Sequence, residues 1–383
     1  MKTPRIRVLH IQETIGSGGV ERRRLSLAKY LDPERFDLKL VCTQTHGPMA
    51  DSIRAYGVEV LEIGPLRHPL DWKQHRKVQQ IIADFQPHIV HGAVFEGVTL
   101  AAVNGFLKRV PLVVIEETSD PQNRSWKGHT LMRWFARVSD AVVGVSPAAV
   151  AYLQKQLHIP ARKVHLLMNG VAVPRPVSVA ERKAVRESFG IAEQTVVIGS
   201  TGRMLLDSHK RFSDLIRAVA LLRAQSLPVA LLLVGDGPQR AVYTELAADL
   251  GVSDSVFFAG YQDDIALYYH AFDVFSLASA YEAFGLVLAE AMLCELPVVA
   301  TRVGGMVSIV AENETGFLVP PQSVPELAEA LKALVIDSAL RNRMGAAGKE
   351  RALAHFTEER YVRDVVTLYE GLLASLTKPI KER

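Results

Sequence analysis

The stretch Glu282-Ala283-Phe284-Gly285-Leu286-Val287-Leu288-Ala289-Glu290-Ala291-Met292 sets two carboxylates at the ends of an otherwise apolar run. From Leu286 to Cys294 no polar face is visible, so the pattern predicts a helix that begins at Phe284-Gly285 and is buried among other elements. A carboxylate inside such a helix is costly unless hydrogen-bonded, so Glu290 calls for a specific partner. Eight residues rotate by about 80° along a helix, which excludes a single shared face. Glu282 therefore belongs to the loop before the helix and Glu290 lies about two turns inside it. The free N–H groups of the helix N-terminus fall between them and suit a phosphate. A ligand with hydroxyls at both ends and phosphate in the middle, as in a nucleotide-sugar, fits this arrangement.

Working outward, residues 180–354 alternate short apolar runs with amphipathic stretches, the pattern of a doubly wound α/β domain. Gly202-Arg203 follows the strand Val196–Ser200, and Lys210-Arg211 comes next. A cation at the carboxyl end of a strand is aimed where ligands bind, and arginine offers a planar fork for diphosphate oxygens. Lys210 supplies a second charge, whereas Arg211 is expected in solvent. Val234-Gly235-Asp236-Gly237-Pro238 and Gly260-Tyr261 are further strand ends. Asp236 reads as a turn or capping residue, and Tyr261 as a residue that lays backbone or ring edge against a nucleobase. Asp263-Asp264 resembles a metal pair by type, but a helix cap before Ile265–Ala271 explains it better. Gly304-Gly305 either brings main chain close to substrate or allows a turn.

Residues 1–172 carry a similar alternation, with strands expected at Ile6–Ile11, Phe36–Cys42, Val58–Ile63, Ile89–His91, Leu112–Ile115 and Ala141–Val145. A strand, then Gly16-Ser17-Gly18-Gly19, then a helix is a phosphate-cradle arrangement, or a plain tight turn. Asn169-Gly170, Pro174 and Pro176 read as a linker. The expected organisation is an N-terminal Rossmann-like acceptor-binding domain at 1–172 and a Rossmann-like donor-binding domain at 173–357. A last helix at 358–383 has no strand after it. Two such domains on one linker would face each other across a cleft.

With 383 residues, 49% hydrophobic and 22% charged, the chain reads as a folded protein of two domains. Cys42 and Cys294 sit in apolar runs with no metal-ligand spacing, consistent with a reducing compartment. The chain runs directly into Ile6–Ile11 without a secretory apolar region, so a cytoplasmic protein is expected. Residues 1–175 hold 24 Lys+Arg and 15 Asp+Glu, and the remainder is net acidic. An anionic partner for the first half, such as a membrane surface or acidic acceptor, and ordinary solvated faces both account for this. Arg22-Arg23-Arg24 and the segment from Ser125 to Arg137, with two tryptophans among cations, pose the same choice.

Taken together these motifs resemble the retaining GT-B glycosyltransferases of family 4. The C-terminal series is the most specific part: Glu282–Glu290, then Pro297-Val298-Val299-Ala300-Thr301-Arg302-Val303-Gly304-Gly305, then Gly316-Phe317-Leu318-Val319. The resemblance implies that Glu282 contacts donor-sugar hydroxyls and that Phe284, Gly285 and Leu286 offer backbone to sugar or diphosphate. Glu290 would hold the ribose diol, with Arg203 and Lys210 on the departing diphosphate. Gly18 and Gly19 would form the N-terminal glycine loop, and Gly202 and Tyr261 would complete the donor side. The last helix typically crosses back to the first domain. Two departures stand out: Lys210 follows Arg203 at longer than usual spacing, and no histidine follows Leu112–Ile115. Glu117 is the first choice for that histidine's place and Glu116 the second, with His91 and Arg22 as further acceptor-side candidates.

The implied activity is transfer of a sugar from a nucleotide-diphosphate-sugar, a UDP-sugar first, to a glycan or lipid-linked acceptor with retention, in cell-surface polysaccharide or glycolipid synthesis. No metal or other cofactor and no nucleic-acid partner is expected. Peripheral contact with an anionic membrane at its inner face stays open. The alternative is a non-catalytic nucleotide-sugar-binding subunit of a glycan-assembly complex, favoured by the absent histidine.

Overall fold

The computed structural model describes residues 4–16, 18–118, 125–205 and 207–377. It divides into two compact units, one made of the residues up to Val171 together with those from Thr357 onward, the other of Ala172–Phe356.

In the first unit, β1 (Ile6–Ile15), β2 (Phe36–Thr45), β3 (Glu59–Glu62), β4 (Ile89–Ala93), β5 (Leu112–Glu117), β6 (Ala141–Gly144) and β7 (Val164–Leu166) form a sheet of order β3-β2-β1-β4-β5-β6-β7. Every pairing is parallel. Such a sheet must be covered on both faces, which is why its strands read as near-continuous apolar runs. β7 is a three-residue edge strand that the apolar pattern does not reveal. The final helix, Glu358–Thr377, packs in this unit, where Tyr361, Val362, Val365 and Tyr369 join the core formed by Val8, Leu27, Leu40 and Val114. Its approach is pinned at Gly170, where a Cβ would lie 2.4 Å from the Thr357 carbonyl oxygen. Arg360 also donates to the carbonyls of Met168 and Asn169 at 2.7 and 2.8 Å.

The second unit repeats the plan with β8 (Val196–Thr201), β9 (Val229–Val234), β10 (Val256–Gly260), β11 (Val274–Leu277), β12 (Val298–Thr301) and β13 (Gly316–Val319). Its order is β10-β9-β8-β11-β12-β13, again parallel throughout. β8 and β11 are neighbours although two strands separate them in sequence, so the strand order reverses beside β8. In open α/β sheets ligands gather at the carboxyl ends of strands around such a reversal.

Candidate active site

Three loops leave the carboxyl ends of β8, β9 and β10, and backbone hydrogen bonds zip them together. Gly202 N–H donates to the Val234 carbonyl at 2.9 Å, Met204 N–H to the Asp236 carbonyl at 2.9 Å, and Gly235 N–H to the Gly260 carbonyl at 2.8 Å. The approach is so close that a Cβ on Gly235 would meet the Gly202 oxygen at 2.0 Å, and one on Gly237 the Met204 oxygen at 2.4 Å. Glycine is required here by backbone contact, which leaves Arg203 exposed on a braced loop. Asp236 acts within the turn, accepting the Gly237 N–H at 2.8 Å.

The longer than usual segment from Arg203 to Lys210 contains a single helical turn, Asp207–Lys210. The Ala280 N–H donates to the His209 carbonyl at 2.8 Å, tying this turn to the chain beyond β11. Lys210 then reaches Glu282, with Nζ 2.5 Å from Oε2, and both side chains are partly exposed. Arg211 pairs with Asp214 instead of lying free in solvent, with Nε 2.5 Å from Oδ2.

The helix predicted after Gly285 spans Leu286–Leu293. Gly285 has φ of 104°, a left-handed conformation that L side chains rarely adopt, and no side chain among the described residues caps the helix. Phe284 is buried and packs edge-on against Phe356. Gly305 supports the segment from beneath: its N–H donates to the Glu282 carbonyl at 3.0 Å, and a Cβ there would lie 2.4 Å from the Ala283 oxygen. The close approach of Gly305 is thus to the protein's own main chain.

Glu290 is buried, and the partner its position calls for includes Tyr269, whose hydroxyl donates to Oε2 at 2.7 Å. The Tyr269 hydroxyl also lies 3.4 Å from Thr201 Oγ1, at the residue before Gly202. Burial, then the Glu290 charge, raise the Tyr269 phenol well above its ordinary range, so it remains a donor. Neither Tyr269 nor Thr201 is singled out by sequence reasoning. The available signal is that Tyr269 stands on the inward face of a short helix, beside buried Ala266. Tyr261 is 66% exposed on the β10 loop. Asp264 does not cap the following helix with its side chain; Arg175 takes its carboxylate at 2.7 Å.

The first unit places its candidates differently. Glu116 is fully buried and ion-paired to Arg23 and Arg24, the Arg24 contact being 3.0 Å. His91 is buried, with Nδ1 2.7 Å from the Tyr369 hydroxyl. Both lie in the interior, on the sheet face covered by the helix Gly19–Tyr30 and the final helix, where two arginines and a tyrosine of those helices close over them. Arg22 alone of the arginine triplet is exposed. Glu117, the next residue along β5, is also buried and by strand alternation belongs to the opposite face, beneath the helix Trp126–Val138. Of the glycine loop, Ser17 lies outside the described residues; Gly18 precedes the helix that starts at Gly19, and a Cβ on it would meet the Glu21 carboxylate at 2.3 Å. Burial, then Glu96 and Glu21, raise the Glu13 carboxyl nearby.

Two parallel-sheet units of this strand order, one carrying cations, carboxylates and an open helix N-terminus at its strand ends, define the GT-B architecture. The family model Glycosyltransferase Family 4 matches residues 17–175, and the model Glycosyl transferases group 1 matches 181–351. Between them these two glycosyltransferase family domains span most of the chain. It is 29% identical over 245 residues to N-acetyl-alpha-D-glucosaminyl L-malate synthase of Bacillus anthracis, covering 64% of this chain and 63% of that protein. It is 34% identical over 214 residues to the lipopolysaccharide core biosynthesis glycosyltransferase LpsE of Rhizobium meliloti (strain 1021), covering 56% and 58%. The chain thus spans less than two thirds of these curated relatives' length. The solved Anabaena Alr3699/HepE in complex with UDP-glucose aligns with a TM-score of 0.83 at 23% identity, covering 96% of this chain and 100% of that one.

Proposed function

We propose that the protein transfers a sugar from a UDP-sugar to a glycan or lipid-linked acceptor with retention of anomeric configuration. The observation that carries this reading is the arrangement around Gly285: Arg203 and the Lys210–Glu282 pair on braced loops, an uncapped helix start, and Glu290 held by Tyr269. In the proposed reaction the bond between the anomeric carbon and the diphosphate oxygen breaks. Negative charge grows on the diphosphate, and positive charge on the sugar. Arg203, Lys210 and the helix N–H groups stabilise the former, which is the largest demand of such a step. The acceptor oxygen forms the new bond to the anomeric carbon, and its proton passes to the departing diphosphate on the same face.

Donor binding draws Lys210 from Glu282 to phosphate and leaves Glu282 for the sugar hydroxyls. Glu290, oriented by Tyr269, accepts from the ribose diol. The Anabaena protein solved with UDP-glucose supports a uridine donor, and the Rhizobium relative supports a lipopolysaccharide acceptor. A panel of UDP-, GDP- and ADP-sugars scored by thermal shift tests the reading. A UDP-sugar at about a hundred times its Kd should stabilise the protein by about 2.7 kcal/mol. Stabilisation by none of the three sinks the proposal, and the absence of slow donor hydrolysis by a protein that binds UDP-sugar would reduce it to a binder.

A further inference from the structure

The helix Trp126–Val138 buries Met132, Phe135 and Ala136 in the core of the first unit and contains no acidic residue. At about 100° per residue, Trp126, Lys127, Thr130, Arg133, Trp134 and Arg137 fall within about 120° of one another. All six are exposed, Trp126 by 73% and Trp134 by 42%. The inward apolar face is fully used by the core, so two tryptophans on the outward face are not surplus packing. Where this helix ends, Arg133, Arg137, His158, Arg162 and Lys163 line a pocket of about 520 Å³, with no carboxylate in its walls. Lys163 is committed to the carbonyls of Ala136, Arg137 and Ser139 and holds the pocket's shape. Arg137 and Arg162 are exposed beside it.

We propose that this face docks on the headgroup layer of an anionic lipid bilayer, with Trp126 and Trp134 at the interface and a lipid phosphate in the Arg137–Arg162 pocket. Tryptophan concentrates at the bilayer interface because its ring is apolar and its N–H polar, and basic side chains beside it meet the negative surface. The docking stands independently of the transferase reading, since it needs neither donor nor acceptor.

The test is co-sedimentation of the full chain with phosphatidylcholine vesicles with and without phosphatidylglycerol. Binding is expected only with phosphatidylglycerol, weakening as salt is raised, with a blue shift of tryptophan fluorescence. The triple variant Lys127→Gln/Arg137→Gln/Arg162→Gln is expected to lower partitioning about a hundredfold, each cation contributing about fivefold. Trp126→Ser/Trp134→Ser should remove the fluorescence shift. Arg162→Gln alone, outside the helix, should lose about fivefold without touching helix stability. Equal binding to both vesicle types, or wild-type binding by the triple variant at unchanged melting temperature, overturns the proposal. So does full displacement by soluble glycerol phosphate, which would make the pocket a soluble-anion site, or equal binding to polyglutamate through the same residues.

Discussion

The two units share a sheet plan and use charge near their strand ends in opposite ways. In the first, Arg23, Arg24 and Glu116 are sealed inside, and Arg24 further donates to Gln12 Oε1 at 2.9 Å. His10 and His91, register partners on β1 and β4, both contact the Tyr369 hydroxyl, at 3.0 and 2.7 Å. In the second, Lys210 and Glu282 pair where water still reaches them. A sealed ion pair is shielded from exchange; here it joins the first helix of its unit to β5, while the Tyr369 hydroxyl joins the last helix to β1 and β4. A half-exposed pair costs little to open and can trade one partner for a ligand. Position in the fold is therefore a poor guide to role, and burial separates the two.

The largest expected effect breaks the sealed network. Glu116→Gln leaves two buried guanidinium groups without their carboxylate and should cost about 3–5 kcal/mol of stability in urea unfolding. A loss under about 1 kcal/mol would mean that the site is hydrated and that the contrast with Lys210–Glu282 is false.

A smaller effect follows from the histidines. Burial, with Arg24, His91 and Arg23 adding to it, holds His10 well below its ordinary value. Burial also lowers His91, to about 3, against the opposing pull of Glu116. Burial pushes the Glu116 carboxyl up, but Arg23 and Arg24 outweigh it and bring it to about 2. An unfolded histidine takes a proton below about 6.5, whereas the folded His91 resists until about 3. The unfolded state therefore binds more protons across that window, and stability falls as pH is lowered through it. Glu116 adds to the loss between about 4.5 and about 2. Tyr369→Phe removes the hydroxyl both rings use and should cost about 1–3 kcal/mol at neutral pH. Unchanged stability from pH 7 to pH 4 would show that the network opens without cost.

Much of the second unit's site is legible in the sequence because its chemistry is local. Glu282 to Glu290 is one continuous stretch, and the apolar helix itself announces that Glu290 needs a partner. The identity of that partner is not legible: Tyr269 lies 21 residues away on another element, and periodicity gives its inward face but not its contact. The first unit hides more. Arg22-Arg23-Arg24 looks like a solvated charge run, and only tertiary structure shows that Arg23 and Arg24 are buried by pairing with Glu116, 93 and 92 residues on. His91 is an acceptor-side candidate by sequence, and only tertiary structure shows its Nδ1 against the Tyr369 hydroxyl, 278 residues away. Sequence periodicity reports which face a residue takes, but pairing across such separations leaves no periodic trace.

The finest distinction lies within the exposed pair itself. Lys210→Ala should lower turnover of a UDP-sugar at least tenfold, about 1.4 kcal/mol of lost transition-state stabilisation. Glu282→Gln should change stability by less than about 1 kcal/mol, because the pair is partly solvated. It removes the competitor that holds Lys210 in the ligand-free protein, so calorimetry should find UDP binding unchanged or tighter while kcat falls. A role as a purely structural salt bridge predicts the reverse for Glu282→Gln, with a lowered melting temperature and unaltered turnover. A Glu282→Gln protein with weaker UDP binding would place this carboxylate on the nucleotide instead of the sugar. The two variants thus separate exchange of Lys210 between carboxylate and phosphate from a fixed pair of the kind that Glu116 makes.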